Sequence, residues 1–164
     1  MKLKVFCDGS NFVGRGSGAG GHVEKAVGAN LNDWQPIARF VVPLDPSATN
    51  NEAEYHAVIA ALKYIYSGLG GPTTREPYSV ERTLQVTIYS DSQLVVRQIK
   101  GEYKVREPRL QELFNSTMYY LSRLQQNLQS NVTIDIRYLP REENEEADRL
   151  ARIGSMLSPT HSNG

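Results

Sequence analysis

Four acidic residues stand in short contexts that fit more than one role. Asp8 lies in Cys7-Asp8-Gly9-Ser10, after a run of alternating apolar residues, and Glu54 lies in Thr49-Asn50-Asn51-Glu52-Ala53-Glu54-Tyr55. Asp91 lies in Ser90-Asp91-Ser92-Gln93, and Asp148 closes the acidic stretch that begins at Glu142. Singly, each has an ordinary explanation. Asp-Gly-Ser makes a turn after a strand, Asn-Asn-Glu caps a helix and complements its dipole, Ser-Asp-Ser caps another, and a glutamate run is a solvated face. Two of the four resist that explanation. Glu54 lies four residues before Val58 and so shares the core-facing stripe of its helix, while Asp148 borders Ala147, Leu150 and Ala151, the apolar edge of another. An unpaired carboxylate at such positions is costly. Two acids at strand exits and two at core-facing helix positions can converge on one polar cleft. Clustered carboxylates stay ionised together at neutral pH only with cations among them, and oxygen-only ligands select Mg²⁺ or Mn²⁺ over zinc. Two such ions about 4 Å apart activate a water on one side of a phosphodiester and stabilise the leaving oxygen on the other. That is nuclease chemistry.

The elements that would position these acids follow from periodicity. Residues 2–8 alternate as a strand, with Leu3, Val5 and Cys7 on one face and Lys4, Phe6 and Asp8 on the other. Asn11 to Gly21 is glycine-rich and reads as a hairpin connection. A strand is expected over 21–28 and another over 37–44, closed by Pro43 and Pro46. Asn50 and Asn51 open a helix whose Val58, Ala61, Leu62 and Ile65 form a stripe, ended by Gly68 to Gly71. A polar loop with Pro72 and Pro77 leads to a strand over 84–90, with Asp91 at its exit. A short helix over 92–100 and a longer one over 108–128 follow, the latter striped with Leu110, Leu113, Phe114, Leu121, Leu124 and Leu128. Val132, Ile134, Ile136 and Tyr138 alternate in a last strand, and a helix over 143–153 precedes a Ser, Pro, Asn and Gly tail. This order suits a mixed sheet covered by helices, the first, fourth and fifth strands being parallel neighbours. Ligands of such sheets bind beyond the carboxyl ends of the strands, where Asp8 and Asp91 fall.

Bulk properties narrow the setting. At 164 residues with 40% hydrophobic residues, the chain is expected to make one domain, residues 1–155, with 156–164 as a flexible tail. Met1 is followed almost at once by the strand-like run from Leu3 to Cys7, so no export signal is expected. Cys7 has no cysteine to pair with and no apolar run spans a bilayer, which predicts a cytoplasmic protein with no membrane partner. The sequons at Asn115 and Asn131 carry no weight in such a setting. Lysine plus arginine and aspartate plus glutamate number 18 each, so polyanion binding must come from local patches. His22, His56 and His161 share no metal-ligand spacing with cysteine, which argues against zinc. Trp34 and Tyr55 read as packing residues.

Over nearly its whole length the chain resembles a type 1 ribonuclease H, of the archaeal-like branch that lacks a basic protrusion. The motifs D-G-S, T-N-N-x-x-E, S-D-S-Q and N-x-x-A-D-x-L-A occur in that family's order. The resemblance implies an α/β fold, a five-stranded mixed sheet of three antiparallel strands followed by parallel ones, with helices on both faces. It implies that Asp8, Glu54, Asp91 and Asp148 are catalytic and bind two Mg²⁺ ions, Mn²⁺ being able to substitute. It also implies a monomer that cuts the RNA strand of an RNA/DNA hybrid, leaving 5′-phosphate and 3′-hydroxyl ends. Substrate contacts are implied for Thr49 near a DNA phosphate, for Asn50, Asn51 and Gln93 near the minor groove, and for Gly9, Ser10 and Asn144. Three features depart from the pattern. Where many members carry a histidine before the last helix, this chain reads Leu139-Pro140-Arg141-Glu142-Glu143-Asn144, so Arg141 is the candidate for its role. The connection Lys100 to Arg106 is short and mildly basic, and Gly14 to Gly21 does not match the usual N-P-G-x-G-G; Arg15 there reads as a solvated loop residue. Archaeal-like resemblance also admits double-stranded RNA as substrate. Two other readings stay open: another nuclease of the same fold, against which T-N-N-x-x-E speaks, and a non-catalytic hybrid-binding module, against which the presence of all four acids speaks.

Overall fold

Apolar residues at every second position build the sheet of this chain, and the computed structural model describes residues 1–12, 14–68, 82–126 and 130–159. Strands β1 (Lys2–Phe12), β2 (Gly16–Val27) and β3 (Asp33–Leu44) follow one another antiparallel, β1 against β2 and β2 against β3. Helix α1 (Asn50–Gly68) precedes β4 (Arg82–Ser90), which lies parallel to β1. Helices α2 (Gln93–Ile99) and α3 (Pro108–Gln125) precede β5 (Ser130–Tyr138), parallel to β4, and α4 (Glu145–Met156) follows a 3-10 turn at Arg141–Glu143. Among the described residues the strand order is β3-β2-β1-β4-β5, the expected mixed sheet with its parallel neighbours.

One face of the sheet carries the main core. Leu3, Val5 and Cys7 of β1 are buried with Val58, Leu62 and Ile65 of the α1 stripe, Ile88 of β4, Val95 of α2 and Leu124 of α3. Thr117 joins the apolar stripe of α3 by returning its hydroxyl to the Leu113 carbonyl at 2.8 Å. Buried Tyr55 donates to Gln98 Oε1 at 2.7 Å and so ties α1 to α2. Trp34 packs under the Lys4 ammonium, 4.1 Å from the ring centroid.

The opposite face belongs to α4, and it explains where the glycine-rich segment departs from expectation. Residues 11–21 are mostly strand: β1 continues to Phe12 and β2 starts at Gly16. The turn between them is short, with the Arg15 amide donating to the Phe12 carbonyl at 2.9 Å and Gly14 at φ 81°. The glycines of β2 give room to a helix. A Cβ on Gly20 would stand 2.5 Å from the Ala151 nitrogen and the Leu150 carbonyl carbon, and one on Gly18 would collide with the backbone of Gly154 and Ser155. Small residues on α4, namely Ala147, Ala151, Gly154 and Ser155, complete this close contact, and all are buried.

β3 also exceeds its expected start at Ile37, running through Pro36 and Pro43. It is an edge strand, where a residue without an amide hydrogen costs no ladder bond, and the register shifts at Val23/Glu24 beside Pro36. At the other end, α4 reaches Met156, and buried Ser158 donates to the Leu44 carbonyl at 2.5 Å. The chain therefore stays packed past residue 155. The loop with Pro72 and Pro77, Leu128, and residues 160–164 with His161 lie outside the described residues. Among the described residues no helix is long and apolar enough to cross a membrane.

Candidate active site

Asp8 does not sit at a strand exit. Its segment is extended, Asp8, Gly9 and Ser10 pairing with Gly20, Ala19 and Gly18 of β2. The parallel pairing of β1 with β4 stops at Cys7/Ser90, so the sheet opens there and Asp8 lines the gap. Gly9 lets α1 close over it. A Cβ on Gly9 would meet the backbone of Ala53 and Glu54, so only glycine allows Glu54 to stand against Asp8.

Capping frees the remaining polar residues. Thr49, not Asn50 or Asn51, caps α1: its hydroxyl accepts from the Glu52 amide at 3.2 Å, and Glu52 Oε1 accepts from the Thr49 amide at 3.4 Å. Glu52 also pairs with Arg109 at 3.1 Å. Asn50 and Asn51 are left to line the cavity. Ser92 likewise caps α2 by accepting from the Val95 amide at 3.2 Å, while its own amide donates to Ser90 Oγ at 3.1 Å. Both readings of Ser90-Asp91-Ser92 hold together, because the flanking serines satisfy the backbone and leave Asp91 to the gap.

Asp8, Glu54 and Asp91 each offer a carboxylate oxygen, and these oxygens all lie within 4.8 Å of one another. Glu54 Oε2 and Asp91 Oδ2 are fully buried with no hydrogen-bond partner. Burial raises the Asp8 pKa to about 8, with the charge of Asp91 adding to it; Glu54 is raised by burial and then by Asp8. Burial, then the charges of Glu54, Asp8 and Asp91, pushes the Cys7 thiol up, so it remains protonated. Three carboxyls this close retain a proton or hold a cation. Asp148 lines the same cavity, of about 420 Å³, but stands outside the tight trio. Its Oδ2 is 3.1 Å from Arg152 Nε and its Oδ1 3.8 Å from Arg141 Nη2.

The cavity gathers most of the expected site: the four acids, Gly9, Ser10, Asn50, Asn51 and Arg141. Thr49 is exposed and engaged in its capping box, and Gln93 is exposed as the first residue of α2; neither lines the cavity. Asn144 corrects the expectation of a substrate contact. It is 1% exposed, and its Nδ2 donates to the Cys7 carbonyl at 3.0 Å, tying the start of α4 to β1 beside Asp8. Asn144→Ala leaves that buried carbonyl unsatisfied and is expected to cost about 1–3 kcal/mol in urea unfolding. A cost within measurement error would remove the role. Sequence reading missed Asn11, Phe12, Ser92 and Arg152, which also line the cavity. Continuing the alternation Asp8, Ser10, Phe12 along β1 would have found Phe12, and helical spacing from Asp148 would have found Arg152.

Comparison with known proteins adds the family. The RNase H family model matches residues 1–156. An RNase H1 from the halophilic archaeon Halobacterium salinarum NRC-1 is 25% identical, with a TM-score of 0.68, covering 94% of this chain and 97% of that one. LC11-RNase H1, solved in complex with an RNA/DNA hybrid, is 26% identical with a TM-score of 0.67, covering 92% and 94%. The N-terminal RNase H domain of Rv2228c from Mycobacterium tuberculosis, solved as a fusion with maltose-binding protein, is 28% identical with a TM-score of 0.67, covering 95% and 94%. Full-length Rv2228c, named a bifunctional protein, is 33% identical over 104 residues, 63% of this chain. The chain spans only 23% of the length of that relative. By a family match that runs from the first strand through the last helix, the chain belongs to the RNase H family.

Proposed function

We propose that this chain is an endoribonuclease that hydrolyses the RNA strand of RNA/DNA hybrids with two bound divalent cations, Mg²⁺ or Mn²⁺. The observation that carries this reading is the trio of Asp8, Glu54 and Asp91, gathered within 4.8 Å around two buried, unpartnered oxygens and open to a cavity. An all-oxygen donor set with unspent negative charge fits a hard divalent cation. Asp8, Glu54 and Asp91 would hold one ion, and Asp8 with Asp148 the other. Such ions, when bound, supply an activated water and stabilise the leaving oxygen of a phosphodiester.

The protein's own residues supply the rest. Buried Asp8, a bare carboxylate that would repel a phosphate, would hold the cations through which the phosphodiester is drawn into the gap. Ser10, Asn11, Asn50 and Asn51 offer hydroxyl and amide groups on the cavity wall, suited to 2′-hydroxyls and base edges across a shallow minor groove. Arg141, exposed and beside Asp148, stands where a cation can meet the cleaved phosphate. LC11-RNase H1, which shares this fold, was solved holding an RNA/DNA hybrid, and that supports the same substrate class here.

The test is a panel of end-labelled hybrid, double-stranded RNA and single-stranded RNA with Mg²⁺, Mn²⁺ or EDTA. Cation-dependent cutting of the hybrid's RNA strand, absent in EDTA, is the expected result; the duplex lane decides whether double-stranded RNA is also cut. A folded protein that binds hybrid yet cuts nothing with either cation would overturn the reading in favour of a binding module.

A further inference from the structure

Asp148 differs from the other three acids in what neutralises it. Among the described residues no lysine, arginine or histidine forms an ion pair with Asp8, Glu54 or Asp91, whereas Asp148 is flanked by two guanidinium groups. Arg152 stands one helical turn after it on α4, lines the same cavity, and is half exposed. Arg149 provides a contrast on the same helix: it grips Glu146 through Nε and Nη2 at 2.9 and 2.8 Å and does not line the cavity. That pair is an ordinary helix-surface bridge. The Arg152 pair instead occupies the carboxylate that a second cation needs, and a guanidinium and a divalent ion repel each other across a single carboxylate. A guanidinium set free at this rim presents a planar fork matched to phosphate oxygens.

Resting on the nuclease reading, we propose that Arg152 is an exchange residue. In the free protein it holds Asp148, and when a phosphodiester enters the cavity it passes to a phosphate oxygen and releases Asp148 to its cation. The trio is then a preformed cation site, and the Asp148 side takes its cation only weakly until substrate draws Arg152 away. No bond is made or broken in this exchange. Arg152 acts through Asp148 and through the substrate's charge.

The test compares wild type, Arg152→Gln and Arg152→Lys by Mn²⁺ titration of the free protein, followed by electron paramagnetic resonance, and by hybrid binding with Ca²⁺ at several salt concentrations. Arg152→Gln is expected to tighten the weaker Mn²⁺ roughly threefold to fivefold, the strength of a partly exposed ion pair, and to leave the tighter Mn²⁺ unchanged. Hybrid affinity should fall about fivefold or more, with a salt slope shallower by about one contact. Arg152→Lys should restore the charge but only part of the affinity, lacking the fork. Unchanged Mn²⁺ constants and hybrid affinity, or movement of only one of the two, in a wild type that takes up Mn²⁺ and cuts hybrid, would overturn the exchange and leave the nuclease reading intact. A wild type that neither takes up Mn²⁺ nor cuts hybrid would overturn both.

Discussion

Asp8→Asn is expected to lower hybrid cleavage by on the order of a thousandfold, the scale of losing a preorganised electrostatic group at the reacting centre, while making the cation-free protein more stable. The two effects have one cause. Asp8 is almost fully buried between Glu54 and Asp91, and burial lifts its pKa from 3.8 to about 8. A carboxyl whose pKa is raised on folding contributes stability that is complete below its unfolded pKa and is lost as pH rises through the folded one. The EDTA-treated wild type should therefore lose stability progressively between about pH 4 and pH 8. Asparagine keeps the shape, removes the charge, and donates to the neighbouring carboxylates. At about pH 8 it should raise the Tm in EDTA by roughly 4–8 °C, equivalent to about 2 kcal/mol for a domain of this size. Near pH 5 the gain should shrink.

Thermal melts of both proteins across pH, with EDTA and with Mn²⁺, check this directly. Cations compete with the retained proton, so the stabilisation of wild type by Mn²⁺ should grow with pH, and the variant should gain little at any pH. A variant that melts below wild type in EDTA at high pH, or a wild-type Tm indifferent to pH and Mn²⁺, would show that the acids carry no stored repulsion. The same measurement separates catalysis from folding, because an inactive protein more stable than its parent has lost chemistry and not structure.

The chemistry was more legible in the sequence than the local backbone that delivers it. Glu54 and Asp148 stood out because acids on the apolar edges of helices violate a strong rule, and the structure places both on the cavity that Asp8 and Asp91 line. The path of β1 was harder to see. Asp-Gly-Ser has the composition of a turn, and nothing local says that β2 continues alongside it and keeps it extended. The resemblance implies a substrate contact for Thr49, whereas its capping role has a local signal, because Thr49 and Glu52 stand at the spacing of a capping box and the structure forms one. Asn144 is further still from view. Its partner is the Cys7 carbonyl, 137 residues away, and no periodicity encodes a single long-range hydrogen bond. The glycines of β2 were misread because glycine signals a flexible turn and a close helix contact with the same letter, and only the packed α4 distinguishes them.

That distinction gives Gly20→Ala a large expected effect on the fold. If residues 16–21 formed a solvent-exposed connection, alanine would be tolerated. In the structure its methyl group would stand 2.5 Å from backbone atoms of Ala151 and Leu150, which no rotamer change relieves. Helix α4 must lift from the sheet, and overpacking of this kind costs about 3 kcal/mol or more where backbone has to move. We expect the Tm to fall by roughly 6–12 °C. Because α4 also carries Asp148, the movement should weaken cation binding on that side of the site while leaving the trio of Asp8, Glu54 and Asp91 in place. Gly68→Ala is the control: a Cβ there meets nothing within 4 Å, so the helix propensity of alanine should leave stability unchanged or raise it by up to about 1 kcal/mol. Equal melting of Gly20→Ala and wild type would mean that α4 does not rest on the glycine face of β2, and that the position assigned to Asp148 through that contact is wrong.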